Sequence, residues 1–309
     1  MSYRPEQAAA IRAMRNAAPY LRMYKGKVFI VKVGGAVFAN AAATRSIVEQ
    51  VAILHQVGIR VVLVHGGGPQ LDEMQRSLGM EPKMVDGRRV TDEKTVDVTV
   101  MVLNGLLNTR LLGICRDLNV EAVGISGVDA GLIRAHRRPP LEVEGESAPV
   151  DFGFVGDIDA VDTTVLRKLL DNGLMPVVSP LSADAAGTLL NINADTVAAA
   201  LGAALAAEKL ILCTGAPGIL GDVRDPGSLI SYTDLRGLAR LREQGRIDQG
   251  MLPKAKAIEE ALRGGVRRVH VVSYHSGEGI LGEVFTNEGT GTLIVADINA
   301  LTPAEQSAT

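Results

Sequence analysis

The chain has 309 residues, 47% hydrophobic and 22% charged, which supports one large or two ordinary cores and excludes a disordered chain. Aromatics are 3% with no Trp, and the net charge is −3, which excludes a base-stacking platform, a basic field for nucleic acid and a Trp-anchored membrane belt. The two cysteines, Cys115 and Cys213, lie in apolar runs and read as reduced core thiols; no CxxC or HExxH pattern offers a zinc site.

Residues 4–23 carry Ala8, Ile11, Met14 and Ala18 on one helical face, which predicts an amphipathic arm. Arg4, Arg12, Arg15 and Arg22 without an apolar h-region argue against a secretory signal, and leave a transit peptide open beside a plain helix. Residues 28–33 form a β-branched run that stops at Gly34-Gly35, and 59–64 a second that ends in His65-Gly66-Gly67-Gly68. Between them Ile47, Val51 and Leu54 repeat at helical spacing, so the unit is β-α-β with parallel strands. Pro69 suits a first helical turn, opening a helix through Leu78. Thr91 is expected to cap a long helix with the stripe Val96, Val100, Leu103, Leu107, Leu111 and Ile114.

A strand at 122–125 precedes short strands around a polar loop, 137–147, which read as an antiparallel excursion. A helix at 165–172 and a strand at 175–179 lead to a turn at 185–187, the expected boundary between two lobes. Beyond it come helix 195–207, strand 209–213, a Gly/Pro loop, helices 234–244 and 253–263, strand 269–272, helix 280–285 and strand 292–295. The expected organisation is an arm (1–26), an N-lobe (27–184), a C-lobe (185–295) and a tail (296–309), one alternating α/β unit. The most apolar long stretch, 197–213, carries Glu208 and Lys209 and is too short and too Ala-rich for a bilayer span.

Two glycine clusters past parallel strands let backbone N–H groups approach an anion, and a following helix N-terminus adds a favourable dipole. Tight strand-to-helix turns would use the same glycines; two clusters, one just after Lys32, favour the anion site. Leu71 stands where a dinucleotide fingerprint needs its third glycine, and Gly26-Lys27-Val28 is no P-loop. Asp151-Phe152-Gly153 lacks a kinase-type catalytic loop before it. Lys32 interrupts a buried strand, so it reads as facing a ligand or a carboxylate, with an outward-facing edge residue as the alternative. Asp195, near Asn191 and Asn193, reads either as an N-cap or as a site residue. Arg89 at a helix start suits a bidentate carboxylate grip, with Arg88 as a competitor from chemistry alone. Lys254 in a first helical turn opposes the dipole and needs another reason to be there.

Lys32-x-Gly34-Gly35, His65-Gly66-Gly67-Gly68-Pro69, Gly87-x-Arg89-Val90-Thr91, Asn191-x-Asn193-Ala194-Asp195, Pro217-Gly218-Ile219-Leu220 and Gly250-Met251-x-x-Lys254 occur in this order. Together they resemble the amino acid kinase family, and within it the branch that phosphorylates N-acetyl-L-glutamate. The resemblance implies an αβα sandwich with a mainly parallel central sheet and phosphoryl transfer from ATP, with Mg²⁺ held mainly by the ATP phosphates, in the cytoplasm. It further implies that Lys32 and Lys254 neutralise the transferring group and that Asp195 orients them. Gly34, Gly35, Gly67 and Gly68 would offer N–H groups to phosphate and substrate. Arg89 and Asn191 would hold the substrate α-carboxylate, and Gly215, Pro217, Gly218, Ile219 and Leu220 would line the nucleotide site.

The arm with Tyr20, together with His270, Glu288 and Gly291, resembles the L-arginine site of the arginine-sensitive members, which implies feedback inhibition in a ring-shaped homohexamer. Departures from the family pattern are Gly215 for Asp, the stretch 273–279, and Val128 where Lys is frequent. Alternatives are a relative acting on an N-succinylglutamate or aminoadipate derivative, a nucleotide sensor, and a nicotinamide oxidoreductase. Retained Lys32, Asp195 and Lys254 oppose the sensor, and the failed fingerprint opposes the oxidoreductase.

Overall fold

Alternating β-branched runs and helical periods build a twisted eight-stranded sheet in the computed structural model, which describes residues 4–222, 224–247, 250–286 and 289–300. Its strand order is Tyr232–Asp234, Thr292–Val295, Arg268–Ser273, Lys209–Thr214, Val28–Val33, Arg60–His65, Met175–Ser179, Ala122–Ser126. Neighbours are parallel throughout, except that Arg268–Ser273 and Thr292–Val295 run antiparallel.

Side-chain alternation along Val28–Val33 divides the core. Phe29, Val31 and Val33 face one layer with Ile47, Val51, Leu54 and Cys115. Ile30 faces the other with Val197, Leu201, Ile258 and Leu262. Lys32 shares the parity of Ile30 and is therefore turned toward the helices Ala194–Ala204 and Leu252–Arg263, a consequence of the period of two. Both cysteines are free and buried.

A second sheet pairs Leu189–Asn191, Leu181–Ala183, Ile133–Arg137 and Gly156–Val161. The turn at 185–187 joins the first two of these strands, which pair antiparallel. The expected antiparallel excursion is the pair Ile133–Arg137 and Gly156–Val161. The long helix after residue 91 is capped by Asp92, whose side chain accepts from Thr95 N–H at 2.8 Å; Thr91 is instead buried and bridges to Gly153. Asp takes the cap because its carboxylate reaches the free N–H groups of the first turn.

This helix widens to i→i+5 bonding over Met101–Asn108, a π-helical segment that the stripe of spacings of three and four did not reveal. The run Glu93–Asp117 is long and apolar enough to cross a membrane. Here it is a core helix, with Val98, Val102, Leu103, Leu107, Leu111 and Cys115 buried. The arm is a helix over Pro5–Tyr24; Met14 is exposed, whereas Tyr24 is buried and packs edge-on against Phe29 at 5.2 Å.

Candidate active site

Three parallel strands end side by side, and the register sets Lys32 between Val64 and Leu212. Lys32 Nζ lies 2.9 Å from Asp195 Oδ1, and Lys254 Nζ donates to Asp195 Oδ2 at 2.9 Å. All three side chains are nearly buried. Asp195 is free for this because Asn193 takes the helix cap, accepting from the N–H groups of Asp195 and Thr196. The N-cap reading of Asp195 is therefore corrected.

Burial drives the Asp195 carboxyl upward, and the two ammonium groups outweigh it, holding it at about 2. Burial, with Lys32 beside it, holds Lys254 below the ordinary lysine value against the pull of Asp195. Two cations on one anion leave one surplus positive charge in a nearly buried site, an arrangement suited to a polyanionic ligand.

The glycine loops meet back to back above this charge cluster. A Cβ on Gly35 would sit 2.9 Å from both Gly67 Cα and Gly68 N, so no larger residue fits. Among the described residues no hydrogen bond takes up the N–H of Gly35, Gly67 or Gly68. Lys32, Gly35, the glycine triad, Arg89, Asn191 and Asp195 all line one cleft of about 720 Å³. Gly34 lies beside it, 3.8 Å from Lys32 Nζ when given a Cβ.

Arg89 is held in the cleft wall. It donates to Gln75 Oε1 at 2.7 Å and to Gly68 O at 3.5 Å, and it pairs with Asp72. These contacts take three of its five N–H donors. Asp72 and Gln75 were missed from sequence; their signal is a spacing of three on one face of the helix Gly68–Ser77. Asn191 Nδ2 lies 3.4 Å from Thr91 Oγ1.

The loop with Gly215, Pro217, Gly218, Ile219 and Leu220 follows the strand Lys209–Thr214 but does not line this cleft. Gly218 is crowded by the protein itself, since a Cβ there would meet Thr292 Oγ1 at 2.5 Å and Leu229 Cδ1 at 2.6 Å. Ile219 is buried, its N–H donated to Thr292 Oγ1 at 2.8 Å. A Cβ on Gly215 would lie 3.2 Å from Tyr274 Oη.

Tyr20, His270 and Gly291 belong to a second cluster beneath the arm. His270 is buried, its Nδ1 2.7 Å from Glu283 Oε1 and its Nε2 2.9 Å from Lys209 Nζ. Glu283 Oε2 also accepts from Gly291 N–H at 3.0 Å. Burial pushes Lys209 down to about 7 and His270 to about 4. Lys209 Nζ stands 5.1 Å from the Tyr24 ring, and Tyr20 stacks on Tyr24 at 6.4 Å. Glu288 lies outside the described residues; the carboxylate beside His270 is Glu283, for which the sequence carries no local signal.

The amino acid kinase family matches residues 27–273. The chain is 47% identical to the acetylglutamate kinase of Myxococcus xanthus, over 94% of this chain and 96% of that protein. Among solved structures it is similar to the N-acetylglutamate synthase of Neisseria gonorrhoeae complexed with coenzyme A and N-acetyl-glutamate. That likeness has a TM-score of 0.81 and 27% identity, over 93% of this chain and 63% of the synthase. The same synthase complexed with coenzyme A and L-arginine gives a TM-score of 0.75 and 25% identity, over 93% of this chain and 65% of the synthase. The chain thus spans less than two-thirds of the synthase's length.

Proposed function

The chain belongs to the amino acid kinase family, and on that premise we propose that it transfers the γ-phosphoryl group of ATP to the side-chain carboxylate of N-acetyl-L-glutamate, the acetylglutamate kinase step of arginine biosynthesis. The observation that carries this reading is the Lys32–Asp195–Lys254 bridge beneath the free N–H groups of the glycine loops. A carboxylate is already a nucleophile at neutral pH, so no general base is required. The difficulty is bringing two anions together, which positioning and fixed positive charge relieve.

A γ-carboxylate oxygen attacks the γ-phosphorus, the bond to the β,γ-bridging oxygen breaks, and ADP leaves with that electron pair. Lys32 and Lys254 face the equatorial and leaving oxygens, and Asp195 fixes both. Gly34 and Gly35 serve the phosphate, Gly67 and Gly68 the acyl amino acid, and Arg89 with Asn191 the α-carboxylate. The Gly215–Leu220 loop serves the nucleotide from the C-lobe, and residues 27–184 form most of the acyl-amino-acid lobe. Mg²⁺ would be held mainly by the ATP phosphates and would screen their charge. Asp195 is engaged by two lysines, and among the described residues no group of three His, Cys, Asp or Glu gathers. The site of action is the cytoplasm.

The test is ADP release with a panel of N-acetyl-L-glutamate, N-succinyl-L-glutamate and N-acetyl-aminoadipate. The highest kcat/KM is expected for N-acetyl-L-glutamate; a preference for either of the others overturns the substrate assignment. Arg89→Lys is expected to raise KM for the acyl amino acid by about 10–100-fold, the worth of a charge-assisted hydrogen bond. KM for ATP should stay within twofold, and a rise there instead would place Arg89 in the nucleotide lobe.

L-Arginine is the proposed inhibitor, bound by Tyr20 of the Pro5–Tyr24 helix together with His270, Glu288 and Gly291, in a homohexamer whose dimers the helices join. The L-arginine complex of the similar synthase supports the ligand class. An effector there biases lobe opening if it binds one state better. Millimolar L-arginine is expected to inhibit, and removal of residues 1–24 to lower the mass by light scattering and abolish inhibition. Unchanged mass with no arginine effect on the full chain would overturn both points.

A further inference from the structure

We infer that His65 and Asn108 are positioning residues that set the plane of the Gly66–Gly67 peptide and so aim the Gly67 N–H at the reacting oxygens; this rests on the acyl-phosphate reading above. His65 is fully buried at the end of the strand Arg60–His65. Its Nδ1 lies 3.1 Å from Gly66 O. A carbonyl only accepts, so the proton of this bond sits on Nδ1. Asn108 fixes the other ring nitrogen. Its Nδ2 donates to Val177 O at 2.9 Å and lies 3.3 Å from His65 Nε2. The Val177 carbonyl determines which end of the amide points inward, and the second amide hydrogen then falls to Nε2. Burial, which pushes the ring down to about 4, keeps it neutral with this tautomer.

The consequence follows from peptide geometry. In a trans peptide the carbonyl and the next N–H point in opposite directions. Holding Gly66 O on the ring therefore turns Gly67 N–H away from it, where no described residue accepts it. Gly66 N–H is anchored on Val33 O at 2.8 Å, so the loop is pinned on both sides of that plane.

The π-helical segment supplies the rest. A Cβ on Gly67 would lie 2.5 Å from both Leu103 Cδ2 and Leu107 Cδ1, so these leucines form its floor. Asn104 accepts from Ser179 Oγ at the end of the neighbouring strand. Residues four apart share a face of this segment, so Leu103 and Leu107 lie under the glycine while Asn104 and Asn108 reach Ser179 and His65. His65 touches no reacting atom; it acts through the backbone of its neighbours.

Two variants and one spectrum test this. His65→Leu keeps the bulk and removes the donor, and is expected to lower kcat about 10–30-fold, less than outright loss of an oxyanion donor. KM for ATP should stay within twofold. His65→Asn places an amide N–H near the Nδ1 position and is expected to recover most of that loss. Equal kcat in His65→Leu and wild type, or no recovery in His65→Asn, overturns the role. Should His65→Leu not fold, ¹⁵N NMR of the wild-type imidazoles at pH 7 decides alone, with the His65 signals identified by their absence from His65→Asn. An Nδ1–H neutral tautomer is expected and an Nε2–H tautomer contradicts the inference. Failure of the acyl-phosphate reading shows separately, as a wild-type protein that releases no ADP with N-acetyl-L-glutamate.

Discussion

Lys32→Ala and Lys254→Ala are each expected to lower kcat by about 10²–10³-fold, the usual cost of losing one preorganised charge at the transition state. The effect is large because both ammonium groups are nearly buried and each is fixed on a separate oxygen of Asp195 at 2.9 Å, so neither reorganises as charge develops. KM for the acyl amino acid should move little, since it is held by Arg89 and the glycine loop. Steady-state kinetics with both substrates varied measures this. Near-normal turnover in either variant removes that lysine from the mechanism. The double variant should fall short of the product of the two losses, because the lysines act through one carboxylate.

Asp195→Ala is expected to cost at least as much kcat as either lysine variant, since it frees both ammonium groups at once. It also leaves two cations facing each other in a nearly buried site, a change that costs about 3–5 kcal/mol when a buried pair loses one partner. Urea unfolding of Asp195→Ala and Asp195→Asn beside wild type reads the stability, and a loss below about 1 kcal/mol would mean that the bridge is screened by solvent. The pH dependence has a definite sign. The folded carboxyl is held at about 2, below its ordinary value of 3.8. Its stabilisation is thus present above that ordinary value and fades as pH falls toward about 2. The stability gap between wild type and Asp195→Asn should accordingly narrow from pH 5 to pH 2.

The two lysines of the charge bridge were legible because their causes are local, whereas their pairing on Asp195 came from the family resemblance. A lysine inside a β-branched run and a lysine at a helix N-terminus each break a rule, and the alternation of Val28–Val33 puts Lys32 on the face of the helices that carry Asp195 and Lys254. The parallel sheet was legible for the same reason, since its strands are continuous apolar runs separated by helical periods. The cap at Asp92 was missed because Thr91 and Asp92 are both good caps, and only tertiary packing buries Thr91 against residue 153. The π-helical turn leaves no local mark, since its spacings of three and four also fit an ordinary helix. The 181–183 and 189–191 strands are three residues each, too short to show a period. Glu283 meets His270 only through the fold, and Asp72 and Gln75 become partners of Arg89 only when the helix packs on the short 84–89 hairpin.

Trapping the product with hydroxylamine is the most direct measurement. Incubated with MgATP, N-acetyl-L-glutamate and hydroxylamine, the protein should form the γ-hydroxamate in step with ADP, because an acyl phosphate is the species that hydroxylamine intercepts. Lys254→Ala should lose both products together. ADP release without hydroxamate, or hydroxamate from N-succinyl-L-glutamate but not from N-acetyl-L-glutamate, would contradict phosphoryl transfer to this substrate.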